Sequence, residues 1–347
     1  TYYHGKTIFP SQTMTKYGFI RQNEDYVGFD PLRIWINEAH KRGIKVHIWF
    51  ETFYVGNKPP ETNAGYILAK KPEWANYQKK NADSDTIAYS VSEHNGYFID
   101  PANPEVQNFL YELLCEIITR YKPDGINLDY IRYPQSLDTI YSNYDMSNWG
   151  YTKYARDEFF KMYGVDPIEL KYTDPLWFQW RAYRCNKVTS FVRRVSVLCR
   201  FNKIQITTVI FPNRNLALNT KMQDWKTWSM NNFVDGFTPL FLTCNDMTAI
   251  NLMEEILRNK SASTKLYAGL FVTFMNGSSA DLMKQIHAAR KYCLNGLIIF
   301  DYAHLTDYYV DTLTESVFKP NKKEIIITDT AKSQQAKYST GNKRGGN

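Results

Sequence analysis

Two acidic residues sit at the ends of short apolar runs. Glu51 closes KVHIWFE (Lys45 to Glu51), and Asp129 lies in GINLDYI (Gly125 to Ile131). With the period of two of a strand, Val46, Ile48 and Phe50 form one row of the first run, and His47, Trp49 and Glu51 form the other. In the second run Ile126, Leu128 and Tyr130 alternate with Asn127, Asp129 and Ile131. If the apolar rows face covering helices, Glu51 and Asp129 point together into the opposite face. A pair of carboxyls in one cleft suits hydrolysis of a glycosidic bond. One stays protonated and donates to the leaving oxygen, while the other attacks or stabilises the oxocarbenium-like charge. Burial and mutual repulsion raise the pKa of the acid. Asp301, near the end of GLIIFDY (Gly296 to Tyr302), is a backup carboxylate. Retention would require a separation of roughly 5–5.5 Å and inversion roughly 6.5–9.5 Å, which the sequence leaves open.

Neighbouring residues could hold a sugar. Trp49, Tyr130 and Tyr302 are candidate platforms, since an aromatic face packs on apolar CH groups while its polar edge bonds hydroxyls. Arg132 and Tyr133 are candidates for sugar hydroxyls or an acidic substituent, and Asn127 and Asn213 complete the binding set. Each has a plainer reading. Asp129 could pair with Arg132 or Arg181, and Glu51 could sit in a structural ion pair. Arg132 and Tyr133 could pack on Pro134. Tyr130 falls on the helix-facing row, where packing is favoured. His47 reads as a core histidine and Asp100 as a turn former.

These residues need a scaffold that gathers strand ends. A helix begins at the cap Asp30 with Pro31 and carries Leu32, Trp35, Ile36 and Ala39, ending at Gly43. A second follows Asn103-Pro104, with Val106, Phe109, Leu110, Leu113, Leu114, Ile117 and Ile118 at helical spacing. Further helical patterns cover Trp177 to Arg200, Met247 to Arg258 and Ala280 to Cys293. Between them lie strand patterns at Ile204 to Phe211, Val234 to Phe241, Lys265 to Phe271 and Gly296 to Tyr302. Strands alternating with helices predict a parallel sheet with right-handed crossovers. Glu51, Asp129, Asn213, Asn245 and Asp301 all fall at or beyond carboxyl ends of strands. A (β/α)8 barrel brings such ends into one ring, which favours it over a doubly wound sheet with a single crevice.

Composition excludes other classes. The 347 residues carry 42 Lys+Arg against 35 Asp+Glu, a net charge of +7. Much of that surplus lies in the polar stretch from Lys319 to Arg344, so no nucleic-acid partner is expected. Aromatic residues make up 16%, a load that suits sugar binding as well as a core. The five cysteines form no C-x-x-C pair, and the six histidines show no metal-ligand spacing. No phosphate loop, dinucleotide motif or nucleophile elbow is present, so neither metal nor cofactor is expected. No run is long enough for a membrane span. The chain opens at Thr1 without an initiator Met, and a preceding segment is expected.

The stretch DGINLDYIRYP (Asp124 to Pro134) resembles the signature of the glycosyl hydrolase-like family 10 proteins. HGKTIFPS (His4 to Ser11), EAHKRGIKVHIWFE (Glu38 to Glu51), KPEW (Lys71 to Trp74), FIDPANPEVQ (Phe98 to Gln107), NWGY (Asn148 to Tyr151), Trp180-Arg181, FPN (Phe211 to Asn213) and IIFDY (Ile298 to Tyr302) follow in the family's order. The likeness extends to about Pro320. It implies a (β/α)8 barrel acting on polysaccharide, secreted or anchored in the bacterial envelope, with some members cutting peptidoglycan glycan strands. The family carries two more strands ahead of His4. Six of eight are therefore expected here, with Thr1 to His4 as the tail of the second and an open seam between first and last. Many relatives carry Asn at the place of Glu51, while one branch has WFE. The related strand end of family 18 chitinases, D-x-x-D-x-D-x-E, would put its acid at Ile131, which has no proton to give.

The expectation is thus a glycosidase domain over residues 1–320, with Asp129 and Glu51 as its carboxylate pair. A polar basic extension follows over 321–347, with a short strand at Ile325 to Ile327 and disorder from Ala331. The segment Asn81 to Tyr97 reads as a surface loop or small hairpin over the site. Two other classes remain: a carbohydrate-binding pseudoenzyme, if Asp129 has no partner carboxyl, and a lyase or transglycosylase on acidic glycans using a tyrosine as base or acid.

Overall fold

A computed structural model describes residues 1–62, 66–137 and 144–319. The extension expected over 321–347 lies outside the described residues.

Local signals start the helices where expected. The Asp30 carboxylate accepts from Arg33 N at 3.1 Å, and Pro31 opens the helix Pro31–Lys41. Asn103 Oδ1 accepts from Glu105 N at 2.9 Å ahead of Pro104–Tyr121, which ends where Lys122 turns left-handed (φ 51°). The apolar stripe of this helix, from Val106 to Ile118, is buried.

The sheet follows in order β2-β1-β3-β4-β5-β6-β7-β8. The strands are β1 (Tyr2–Tyr3), β2 (Lys6–Thr7), β3 (His47–Glu51), β4 (Gly125–Asp129), β5 (Gln205–Ile210), β6 (Gly236–Pro239), β7 (Lys265–Phe271) and β8 (Gly296–Phe300). The run from β3 to β8 is parallel throughout. Crossovers include Pro104–Tyr121, Trp177–Phe201, Asp246–Asn259 and Ser279–Lys291. These six strands match the six patterns in the sequence, trimmed by one or two residues at most ends. Tyr2 pairs in parallel with Phe50 of β3, and β1 then folds back onto β2 as a hairpin that the sequence reading did not foresee.

The alternation in β3 and β4 holds. Ile48, Phe50, Ile126 and Leu128 are fully buried against the helical layer. The other row lines an open hollow of about 430 Å³ that includes His47, Trp49, Asn127, Thr207, Thr238 and Tyr267. Among the described residues no ladder joins β8 to the hairpin, so the sheet is curved but open, with edges at β2 and β8.

Seven helices among the described residues escaped the sequence reading: Gln12–Lys16, Ile67–Lys70, Tyr144–Ser147, Lys153–Tyr163, Arg214–Lys221, Trp225–Met230 and Asp307–Glu315. Each is short and buries only a few side chains, so its apolar period is weak. A satellite core of Tyr144, Tyr151, Phe159, Trp177 and Trp180 braces the chain beyond β4. No helix among the described residues is long and apolar enough to cross a membrane.

Candidate active site

Glu51 and Asp129 are Cα partners across β3 and β4, each the last residue of its strand. Neighbouring strands lie roughly 4.7–4.9 Å apart, and residues in register point to the same side. Both carboxyls therefore enter one cleft of about 800 Å³ above the carboxyl ends of the strands. Glu51 is 2% exposed, and its Oε2 accepts from the backbone N–H of His4 at 2.6 Å. Burial pushes its carboxyl up to about 8; the charge of Asp129 adds to this, and the His4 N–H pulls against it.

Asp129 is half-buried and held by neutral donors. The Trp49 indole N–H donates to Oδ2 at 3.0 Å and the Tyr130 N–H to Oδ1 at 2.6 Å. Burial raises its pKa above the ordinary value, opposed by these two bonds and by the charge of Arg132. Neither carboxylate forms a salt bridge among the described residues. Arg132 is committed to Glu93, and Arg181 donates to Asn219 Oδ1 at 2.5 Å. The structural ion pairs weighed for Asp129 are thus not formed.

The cleft is ringed with aromatics. Tyr130 stacks on Tyr54 at 4.5 Å, and the His4 ring lies edge-on to Tyr54 at 5.3 Å and flat on Tyr3 at 3.8 Å. On the far side Phe271 and Phe300 stack at 4.4 Å. One wall holds a buried charged cluster. Arg132 donates through both terminal nitrogens to the two oxygens of Glu93, at 2.7 and 2.9 Å. Lys221 Nζ lies 3.3 Å from Glu93 Oε1, 2.8 Å from Gln135 Oε1 and 3.8 Å from the Phe211 ring centre. Burial alone would raise the Glu93 carboxyl, but the two cations and their hydrogen bonds outweigh it and hold it at about 2.

Residues 2–274 match the family described as Glycosyl hydrolase-like 10. The chain belongs to that family. Among named relatives, glycosyl hydrolase DigH of Escherichia coli K12 is 35% identical over 112 residues, covering 31% of this chain and 24% of DigH. Glycosyl hydrolase YngK of Bacillus subtilis is 26% identical over 113 residues, covering 32% of this chain and 19% of YngK. The matched stretch is thus about a quarter or less of either relative. The α-galactosidase of Lactobacillus brevis superposes with a TM-score of 0.51 at 12% identity, over 85% of this chain and 32% of that one. At that identity the likeness speaks for the fold, the barrel type expected from the sequence.

Within this glycosyl hydrolase-like chain the remaining candidates divide. Trp49 and Asp301 line the cleft with the carboxylate pair. Asp301 is exposed and bonded to His304, whose Nδ1 lies 2.8 Å away. Arg132 lines the wall, but its guanidinium is already occupied by Glu93. Asn127 sits lower, in the hollow inside the sheet, where its Nδ2 donates to Thr238 Oγ1 at 3.2 Å.

Three expectations are corrected. Tyr133 is 1% exposed, with its ring packed against Gly150, so it belongs to the core and not to the cleft. Asn213 caps the helix Arg214–Lys221, accepting from Leu216 N at 2.9 Å, and is absent from the cleft lining. Tyr302 is 90% exposed on a turn beyond β8 and is likewise outside the lining. Tyr130 is corrected the other way. The chain leaves β4 at Asp129, and Tyr130 takes a left-handed conformation (φ 45°). That breaks the alternation and turns its ring into the cleft.

Sequence reasoning missed Tyr3, His4, Tyr54, Glu93 and Lys221. Glu93 and Lys221 are 128 residues apart in the chain, and no local pattern announces the contact. The loop reading of 81–97 was the available signal: Glu93 is the anchor that pins this segment to the cleft wall.

Proposed function

We propose that this domain is a glycoside hydrolase acting on a polysaccharide chain, with Glu51 as the general acid/base and Asp129 as the ionised partner. The observation that carries this reading is the register of Glu51 with Asp129 at the mouth of the sheet, with Glu51 buried so that its carboxyl is pushed up. Glu51 protonates the glycosidic oxygen as the C1–O bond breaks. Asp129, kept in place by Trp49 and Tyr130, answers the positive charge that develops on the sugar. Water then supplies the hydroxyl at C1 and returns a proton. Trp49 offers the sugar an exposed ring edge beside the carboxylates.

The binding-only alternative loses its motive, because Asp129 has a partner carboxyl in register. The lyase alternative needs a tyrosinate, and burial holds the Tyr54 and Tyr130 hydroxyls well above their ordinary value. The names of the relatives support hydrolysis of a glycosidic bond, and the family resemblance suggests a cell-envelope glycan, with peptidoglycan glycan strands as the proposed substrate. The test is to incubate the protein with purified peptidoglycan strands and a polysaccharide panel and follow products by mass spectrometry. Asp129→Asn should abolish cleavage with the melting temperature retained. Undiminished cleavage by that variant, or no product from any glycan, would refute the reading.

A further inference from the structure

The face opposite the cleft carries positive charge that no carboxylate answers. In a parallel sheet every strand begins at the same end, so the turns leading into β3 to β8 share one face. At about 3.3 Å per residue, that face lies roughly 15–20 Å from the carboxyl ends that hold Glu51 and Asp129. Lys45, Lys122 and Lys203 sit in the turns into the adjacent strands β3, β4 and β5, and Lys265 opens β7. All four are exposed, and none forms a salt bridge among the described residues. The two carboxylates in these turns are spent on the backbone. Asp124 Oδ2 accepts from Val46 N at 2.8 Å, and Asp235 Oδ2 accepts from Ile206 N at 2.8 Å. On the neighbouring helix ends, Glu38 is bridged to Lys41 and Arg42, and Glu254 to Arg258.

The helix dipole accounts for some basic residues at this end but not for these four. Arg200 and Arg290, in the last turns of their helices, donate to the backbone carbonyls of Asn232 and Val317. The four lysines stand at or past the helix ends. Two of them also hold left-handed backbone, Lys122 at φ 51° and Lys203 at φ 57°. Glycine takes the like position in the turn into β3, at Gly43 (φ 70°), where the conformation is free of the side-chain penalty. Like charges gathered on neighbouring turns repel one another, and an anionic surface relieves that repulsion.

Apolar side chains stand among the cations. Phe201, two residues before Lys203, is 85% exposed, and Ile44, beside Lys45, is 57% exposed. Exposed rings and aliphatic groups set among lysines suit the headgroup layer of a bilayer, where phosphates meet the ammonium groups and the apolar side chains reach the acyl boundary.

We propose that the amino-end face of the sheet docks on a bilayer that contains anionic phospholipid, with the cleft held on the side away from the membrane. The contact is peripheral, made by lysines and two apolar side chains. It does not rest on the hydrolase reading.

The test measures co-sedimentation of the full chain with vesicles of phosphatidylcholine alone or with about 30% phosphatidylglycerol. Binding should appear with the anionic lipid only and fade as salt is added. A lysine near a charged bilayer is worth roughly a fivefold change in partitioning. Lys45→Gln, Lys122→Gln and Lys203→Gln combined should therefore lower partitioning roughly a hundredfold. Lys45→Glu alone, at an exposed turn, should lower it roughly tenfold or more and decides the matter if the triple variant does not fold. Phe201→Ser should lower it severalfold. The basic stretch from Lys319 to Arg344 is a rival source of attraction, so Lys322→Gln, Lys323→Gln, Lys337→Gln and Lys343→Gln are combined in a separate variant, which should lose less than the triple variant. Equal partitioning into neutral and anionic vesicles, none into either, or a loss confined to the Lys319–Arg344 variant would overturn the proposal. Equal affinity for a DNA duplex, indifferent to Phe201→Ser, would mark a general polyanion site and overturn the lipid docking.

Discussion

Trp49 and Asp129 are joined by an indole N–H···Oδ2 bond of 3.0 Å that spans β3 and β4. Trp49 lies two residues before Glu51 on the same strand, so one ring borders the cleft and also orders the ionised carboxylate of Asp129. Trp49→Phe keeps the ring and removes the donor. A hydrogen bond to a charged group contributes about 1.5–3 kcal/mol, or about one to two pKa units. The acid limb of the pH–rate profile should move up by that amount, with the alkaline limb fixed. An unmoved acid limb would show that the bond does not govern Asp129.

The alkaline limb belongs to Glu51. Activity should fall as pH passes about 8, where Glu51 loses its proton. Glu51→Gln should lower kcat about 10²–10⁴-fold, the usual contribution of general acid catalysis, and remove this limb from any residual rate.

Stability gives an independent reading of the same group. Because its folded pKa is raised from 4.5 to about 8, the folded state binds more protons than the unfolded state between these values. Stability from this group is fully present below the unfolded pKa and is lost as pH rises toward 8. Glu51→Gln should therefore gain in melting temperature relative to the unaltered protein between pH 5 and pH 8. A difference that stays constant with pH would contradict the raised pKa.

Glu93 is expected to matter for folding before it matters for chemistry. Its loss leaves Arg132 and Lys221 buried together with no counter-charge. Glu93→Ala should cost about 3–5 kcal/mol in urea unfolding, the range for breaking a buried ion pair. Asp157, whose bridge to Lys153 is exposed on both sides, serves as the comparison. Removing that bridge should cost under about 1 kcal/mol.

Gly96 sets the approach of the 81–97 loop. A Cβ there would lie 2.0 Å from Tyr54 Cε2 and 2.7 Å from Glu93 O. Gly96→Ala should push Tyr54 off Tyr130 and loosen the cleft wall. Destabilisation of about 1–3 kcal/mol is expected from the overpacking, together with a raised KM. A variant with native stability and kinetics would show that the wall yields freely.

The parts of the site that were legible are those governed by a short period. Glu51 and Asp129 could be placed on one face because β3 and β4 are regular up to their last residue, and their apolar rows mark the helical side. Tyr130 could not, because one left-handed residue reverses the side that alternation assigns. Tyr133 and Asn213 were misplaced because position beyond a strand end does not tell a cleft residue from a core residue or a helix cap. Asn213 followed by a helix is itself a capping signal, hidden by the weak period of Arg214–Lys221. The charged wall was out of reach, since Glu93 meets Arg132 and Lys221 only where the segments that follow β3, β4 and β5 pack together.

The contact that fixes Glu51 comes from the main chain of His4, not from its imidazole. Swapping the side chain at position 4 leaves that donor in place, so an alanine scan would pass over it. Only proline, which has no amide hydrogen, would expose what the position does for the acid.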